Sequence, residues 1–161
     1  MATATFILGE SVRRIDDRYR LTLPPKLAES ILAEQDVTCK LAKERLGALS
    51  LWKQETWQER VEPGIAVVEQ KVRGGWMPAQ VAEVQQFARL LSTRSGDVTV
   101  SAAGRLVIPE EFREFLGVKV PGDCVVVGAG LCIEIWNPES WHEYLKQETG
   151  TFGALFEKLS K

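Results

Sequence analysis

Asp16-Asp17-Arg18-Tyr19-Arg20-Leu21-Thr22-Leu23-Pro24 returns later in the chain as Ser101-Ala102-Ala103-Gly104-Arg105-Leu106-Val107-Ile108-Pro109. Each copy sets an Arg directly before an alternating apolar triplet, and a proline then opens the next segment. A Trp-x-x-Glu-x-Trp element follows both, at Trp52 to Trp57 and at Trp136 to Trp141. The offset is 85 residues from Arg20 to Arg105 and 84 from Trp52 to Trp136. So constant a spacing predicts two half-units of one pseudo-symmetric object. Their strands are few and short, and a small hairpin sheet is marginal alone, so the halves are expected to share one core.

Working outward, Phe6-Ile7-Leu8 is a strand candidate, and alternation points Leu21 and Leu23 to one side. After Pro24-Pro25, Leu27, Ile31 and Leu32 at helical spacing predict an amphipathic helix. Residues 37–41 and 46–52 read as strands joined through Lys43-Glu44-Arg45, with Gly47 as a bend. Glu55, Trp57 and Val61 predict a short helix that stops before Pro63-Gly64. In the second copy Val98-Thr99-Val100 leads through a turn, with Gly104 free to take positive φ, into Leu106-Val107-Ile108. Pro109 opens a helix with Glu110 and Glu111 at its positive end and Gly117 placed to stop it. Strands at 124–127 and 132–136 follow, and Asn137-Pro138 supplies an N-cap and a first-turn proline.

Between the copies, Pro78 with Val81, Val84, Phe87, Ala88 and Leu91 predicts a helix, whereas residues 64–77 have no firm period. That stretch reads as an extended loop or an irregular helix carrying an exposed Trp76. The organisation expected is a first half-unit at 1–62, a helical connector at 63–92, a second half-unit at 93–148, and a tail at 149–161. The two half-units form one compact domain, and the tail docks on a neighbour or frays.

Composition narrows the function. The chain has 161 residues, 45% of them apolar and 26% charged, which is the balance of an ordinary globular protein. The N-terminus has no basic region and no eighteen apolar residues run together, so neither signal peptide nor membrane span is expected and the protein is placed in the cytoplasm. Cys39, Cys124 and Cys132 lack C-x-x-C spacing and read as buried free thiols, not disulfides or metal ligands. The single His142 sits in a helix pattern. No catalytic residue, metal ligand or cofactor-binding motif is assigned, and an enzyme is not expected.

A net charge of −2 argues against indiscriminate coating of nucleic acid. Yet Arg13, Arg14, Arg18 and Arg20 crowd together, opposed only by Asp16 and Asp17. Asp16 and Arg20 read as a turn brace or solvated ion pair, which stabilises little, as readily as a functional motif. In the second copy Ser101 replaces the acid while Arg105 persists, so the arginine outlives its partner. An Arg on a rigid hairpin presents a planar fork suited to phosphate oxygens or a guanine edge. Arg13, Arg14 and Arg18 then supply positioning contacts, and Arg20 or Arg105 reaches a base. The four repeated tryptophans favour core or subunit packing over base stacking.

These residues resemble the MraZ family and, more widely, the AbrB/SpoVT-type DNA-binding superfamily. The carriers are Asp16-x-x-x-Arg20, Gly104-Arg105-Leu106-Val107-Ile108-Pro109, and Glu111-Phe112-Arg113-Glu114-Phe115-Leu116-Gly117. Val125-Val126-Val127-Gly128, Ile133-Glu134-Ile135-Trp136 and Trp141-x-x-Tyr144-Leu145 extend the likeness. The resemblance implies a mainly β fold with flanking helices, a double-split β-barrel built from two pseudo-symmetric half-units in one chain. It implies a bacterial transcriptional regulator, nucleoid-associated, acting on repeated promoter elements of the division and cell-wall gene cluster. Its partners are double-stranded promoter DNA and copies of itself in a homo-oligomeric ring, with no cofactor, small-molecule substrate or membrane. The family's D-x-x-x-R element transfers to Asp16 and Arg20, and to Ser101 and Arg105. Two other readings are a ring-forming assembly protein with weak or lost DNA binding and an AbrB-like antitoxin or developmental regulator. The chain departs from the family pattern in having Tyr19 where Gly is usual, in lacking the second Asp, and in its longer connector.

Overall fold

The computed structural model describes residues 6–75 and 80–161. In chain order the elements are β1 (Ile7–Ile15), β2 (Arg20–Thr22), α1 (Pro25–Ala28), β3 (Val37–Arg45), β4 (Ala48–Lys53), α2 (Gln54–Arg60), α3 (Glu62–Arg73) and α4 (Val81–Arg94). Then follow β5 (Ser95–Val100), β6 (Arg105–Val107), α5 (Glu110–Leu116), β7 (Gly122–Gly130), β8 (Ile133–Trp136), α6 (Pro138–Glu148), a 3-10 turn, and α7 (Phe152–Leu159). Strand, strand, helix, strand, strand, helix thus occurs twice.

The strands are interleaved between the copies. One antiparallel sheet runs β1-β7-β8-β4-β3-β5, and a two-stranded ribbon pairs β2 with β6. Exchange each strand for its counterpart and the six-strand order reads the same backwards. β1 pairs along its length with β7, from Ile7 opposite Gly130 to Ile15 opposite Gly122. Its counterpart β5 pairs with β3, from Val100 opposite Val37 to Ser95 opposite Ala42. The outer strand of each half therefore lies on the other half. On the axis, Leu21 faces Leu106. Two equivalent hydrogen bonds flank the ribbon, from the Leu23 N–H to the Gly104 carbonyl (2.8 Å) and from the Ile108 N–H to the Tyr19 carbonyl (2.9 Å).

Alternation explains what this topology buries. Ile15, Leu21, Leu23, Leu41, Leu49 and Leu51 from the first copy lie fully buried with Val100, Ile108, Leu116, Val126, Ile133 and Ile135 from the second. Each such aliphatic side chain stabilises the fold by about 1.5–3 kcal/mol, and the gain exists only when both copies are in place. A second cluster of Ala48, Val125, Trp136 and Trp141 forms beneath α6. Trp136 and Trp141 lie 5.0 Å apart, and the equivalent Trp52 and Trp57 lie 5.9 Å apart edge to face. The repeated tryptophans thus pack within the chain. Cys39 and Cys124 occupy equivalent places, and both are buried with Cys132. Burial pushes their thiols up to about 11 for Cys39 and about 12 for the other two.

Several segments differ from expectation. The helix after Pro24 stops at Ala28, four residues long, because the Ser30 hydroxyl donates to the Leu27 carbonyl (2.7 Å) and favours a turn over further helix. Lys43-Glu44-Arg45 is strand, not connection. Its charges are each engaged: Lys43 lies over the rings of Phe112 and Phe115, Glu44 accepts from Ser50 Oγ (2.7 Å), and Arg45 covers Tyr144. Gly47 then turns the chain at φ +87°, donates to the Phe115 carbonyl (2.9 Å) and accepts from the Asn137 N–H (2.7 Å). A Cβ there would collide with Ser140.

The strand expected at Phe6-Ile7-Leu8 is longer, since β1 continues through Arg13 and Arg14 to Ile15. Of residues 64–77, expected as an extended loop or irregular helix, 64–73 lie in the regular helix α3, and 76–77 lie outside the described residues. Neither α3 nor α4 buries a residue completely. Together with α7 they make the architecture mixed α/β, whereas a mainly β fold was expected. Trp76 and Pro78, the exposed aromatic and the helix opener expected from the sequence, lie outside the described residues.

Candidate nucleic-acid interface

The two turns that precede β2 and β6 lie at opposite ends of the ribbon, Tyr19 beside Ile108 and Gly104 beside Leu23. In the first, the Tyr19 N–H donates to the Asp16 carbonyl (3.0 Å) and the Asp16 N–H to the Arg20 carbonyl (3.2 Å). In the second, Gly104 donates to Ser101 (2.8 Å) and Ser101 to Arg105 (2.9 Å). Gly104 sits at φ +80°, and its counterpart Tyr19 at φ +60°. The left-handed region costs a non-glycine residue roughly 1–2 kcal/mol. The Arg113 guanidinium, 4.3 Å from the Tyr19 ring, holds that ring in place.

The side chains at the two tips are unequal. Asp16 Oδ1 accepts the Arg18 and Arg20 backbone N–H groups, both at 2.9 Å, and Asp16 Oδ2 accepts Arg20 Nε–H at 2.6 Å. The Arg20 N–H above all, with the Arg20 side chain and the Arg18 N–H, holds the Asp16 carboxyl below its ordinary value. Ser101 braces its turn more weakly, its hydroxyl accepting only the Arg105 N–H (3.1 Å).

A groove of about 660 Å³ opens between the tips. It is lined by Arg14 and Thr99, Asp16 and Ser101, Arg20 and Arg105, Leu21 and Leu106, and Thr22 and Val107, each pair related by the repeat, with Arg13 added. Four guanidiniums face one carboxylate here, on a chain whose net charge is −2. The Nε of Arg13 is buried and has no hydrogen-bond partner among the described residues. Of the seven residues expected at the site, the groove brings six together. Arg18 is exposed at its hairpin tip, outside the lining. The threonines were not singled out from the sequence, although the 85-residue offset puts Thr99 opposite Arg14 in the repeat.

Among the described residues there is no cluster of His, Cys, Asp and Glu able to hold a metal ion, and no helix long and apolar enough to cross a membrane. The arrangement offers charge-assisted donors in a shallow open site, suited to a polyanion. Fold and groove together define an interlocked α/β protein with two arginine-bearing turns related by the repeat.

Comparison with known proteins narrows that class. Residues 95–158 match the family model described as "MraZ protein, putative antitoxin-like". A protein of Symbiobacterium thermophilum named transcriptional regulator MraZ is 31% identical over 152 residues, 94% of this chain and 99% of its own length. The proteins of that name from Heliobacterium modesticaldum and Syntrophomonas wolfei are 30% and 28% identical, each over 94% of this chain and 95% of their own. The chain belongs to the MraZ family.

Proposed function

We propose that this chain is a cytoplasmic, nucleoid-associated transcriptional regulator. It binds double-stranded promoter DNA through the groove between its two arginine hairpins, and needs neither cofactor nor small-molecule substrate. The observation that carries the reading is the convergence of Arg20 and Arg105, one from each copy, on a groove that Arg13 and Arg14 also line. The names of the relatives support it. The half-units 1–62 and 93–148 act as one domain, with 63–92 as connector and 149–161 as tail, and the strands close as a double-split barrel.

A single groove makes few contacts, so the acidic chain gains affinity by repetition. Copies joined in a homo-oligomeric ring engage repeated elements before the division and cell-wall genes, each bound copy raising the effective concentration of the next. The exposed apolar residues Phe152, Leu155, Phe156 and Leu159 of α7 are available for such assembly.

Fluorescence anisotropy on DNA from directly upstream of the protein's own gene tests this. Replacing Arg20 and Arg105 together by Ala should weaken binding at least tenfold and flatten the log–log salt dependence by up to about 1.8, at about 0.9 for each phosphate no longer neutralised. Unchanged affinity and slope would remove both residues from the interface. A ring protein without DNA readout is favoured only by the net charge of −2, and it predicts an unbroken oligomer that leaves that DNA unbound.

A further inference from the structure

We propose that the two hairpins divide the work on DNA: Arg20, braced by Asp16, reads a base edge, and Arg105, unbraced, grips the phosphate backbone. This division rests on the DNA-binding reading above.

Bidentate recognition of a base edge requires two donors held in one plane, because an arginine that must stop rotating on binding loses the directional advantage. Arg20 meets that requirement. Its Nε is fixed on Asp16 Oδ2 at 2.6 Å, and the other oxygen of that carboxylate is fixed by two backbone N–H groups of the same turn. The plane of the guanidinium is thereby referred to the hairpin backbone. Its terminal nitrogens keep no hydrogen-bond partner among the described residues, and the side chain remains 59% exposed. The free end of the fork faces the groove.

Charge separates the two arginines further. The Arg20–Asp16 pair is neutral as a unit, so it attracts phosphate weakly at a distance and displaces few counterions. Arg105 has no acidic partner among the described residues, and the loop before it is Ser101-Ala102-Ala103-Gly104. It keeps its full positive charge and its rotational freedom. Phosphate oxygens accept from many directions, so an unfixed cation suits them. The same hairpin backbone thus carries a stiff neutral reader on one side and a mobile cation on the other.

The test compares a duplex from directly upstream of the gene with a mixed-sequence duplex of equal length, titrated against the full-length protein at several salt concentrations. Arg20→Lys should lower the ratio of the two affinities roughly tenfold while leaving the salt slope unchanged. Arg105→Lys should preserve both, and Arg105→Ala should weaken both duplexes by the same factor and flatten the slope by about 0.9. Asp16→Asn keeps an oxygen for the turn but frees Arg20; it should lower the ratio and steepen the slope, an outcome that mere loosening of the hairpin does not give. The division is overturned if Arg105→Lys lowers the ratio as much as Arg20→Lys, or if Arg20→Lys leaves it unchanged. If Arg20→Ala and Arg105→Ala both leave affinity for both duplexes unchanged, the DNA-binding reading itself fails.

Discussion

The two turns follow one backbone path with different chemistry. Tyr19 and Gly104 share a left-handed φ, and Asp16 and Ser101 share a backbone hydrogen-bond pattern. Yet the first tip carries Asp-Asp-Arg-Tyr and the second Ser-Ala-Ala-Gly. The shape of each tip is set by turn hydrogen bonds and by Leu21 and Leu106 meeting beneath it, so the tip residues are free to differ in charge. Backbone architecture and surface charge are separable here.

The largest test of that separation lies under the tips. Leu21→Ala and Leu106→Ala should each cost about 2–5 kcal/mol in urea unfolding, since each opens a cavity at the same buried pairing. If one proves nearly neutral, the axis is not shared and the comparison breaks. Next, Gly104→Ala should cost about 1 kcal/mol through its positive φ. Tyr19→Gly should change stability less, because relief at φ +60° offsets removal of the ring against which Arg113 rests. A large loss on Tyr19→Gly would mean that the ring, not the turn, holds the first tip.

Smaller effects sharpen the comparison across the central strands. Ser50 faces Glu134, its counterpart in the repeat. Desolvation raises the Glu134 carboxyl, with nearby Glu44 adding to this and the Trp136 N–H and Arg45 opposing it. A raised folded value means that ionisation of Glu134 costs stability as pH rises through it. Glu134→Gln should therefore raise the melting temperature at neutral pH and lose that advantage in acid, where Glu134 is protonated in both folded and unfolded states. An equal gain at both extremes would assign the effect to packing. Least of all should happen at Cys39 and Cys124. Both thiols are buried and shifted upward, so iodoacetamide at pH 8 should label neither without unfolding. Fast labelling of one alone would show that the halves open unequally.

Much of this was legible because the repeat is a local signal. Arg20, Arg105, Gly104 and the Pro109-led helix could be placed from spacing alone, and Gly117 ends that helix at φ +71°. Strand length was not legible. Residues 43–45 look like a connection because they are charged, and only the ring and hydroxyl partners supplied by other segments let Lys43 and Glu44 remain in a strand. α3 escaped for the opposite reason: a helix with no fully buried side chain has no need of a clean apolar period. The groove residues could be nominated, but not the Asp16–Arg20 contact itself. The sequence is equally compatible with a loose pair, and the carboxylate is committed only once the turn aims the Arg18 and Arg20 N–H groups at it.

The exchange of outer strands has a consequence during synthesis. β1 borders only β7 in the main sheet, and β7 is completed at Gly130. At translation speeds of about 5–20 residues per second, the emerging N-terminal strand waits on the order of ten seconds with its edge unsatisfied. A ribosome that stalls within the connector therefore leaves a sticky nascent segment, one for chaperones to guard until the second copy arrives.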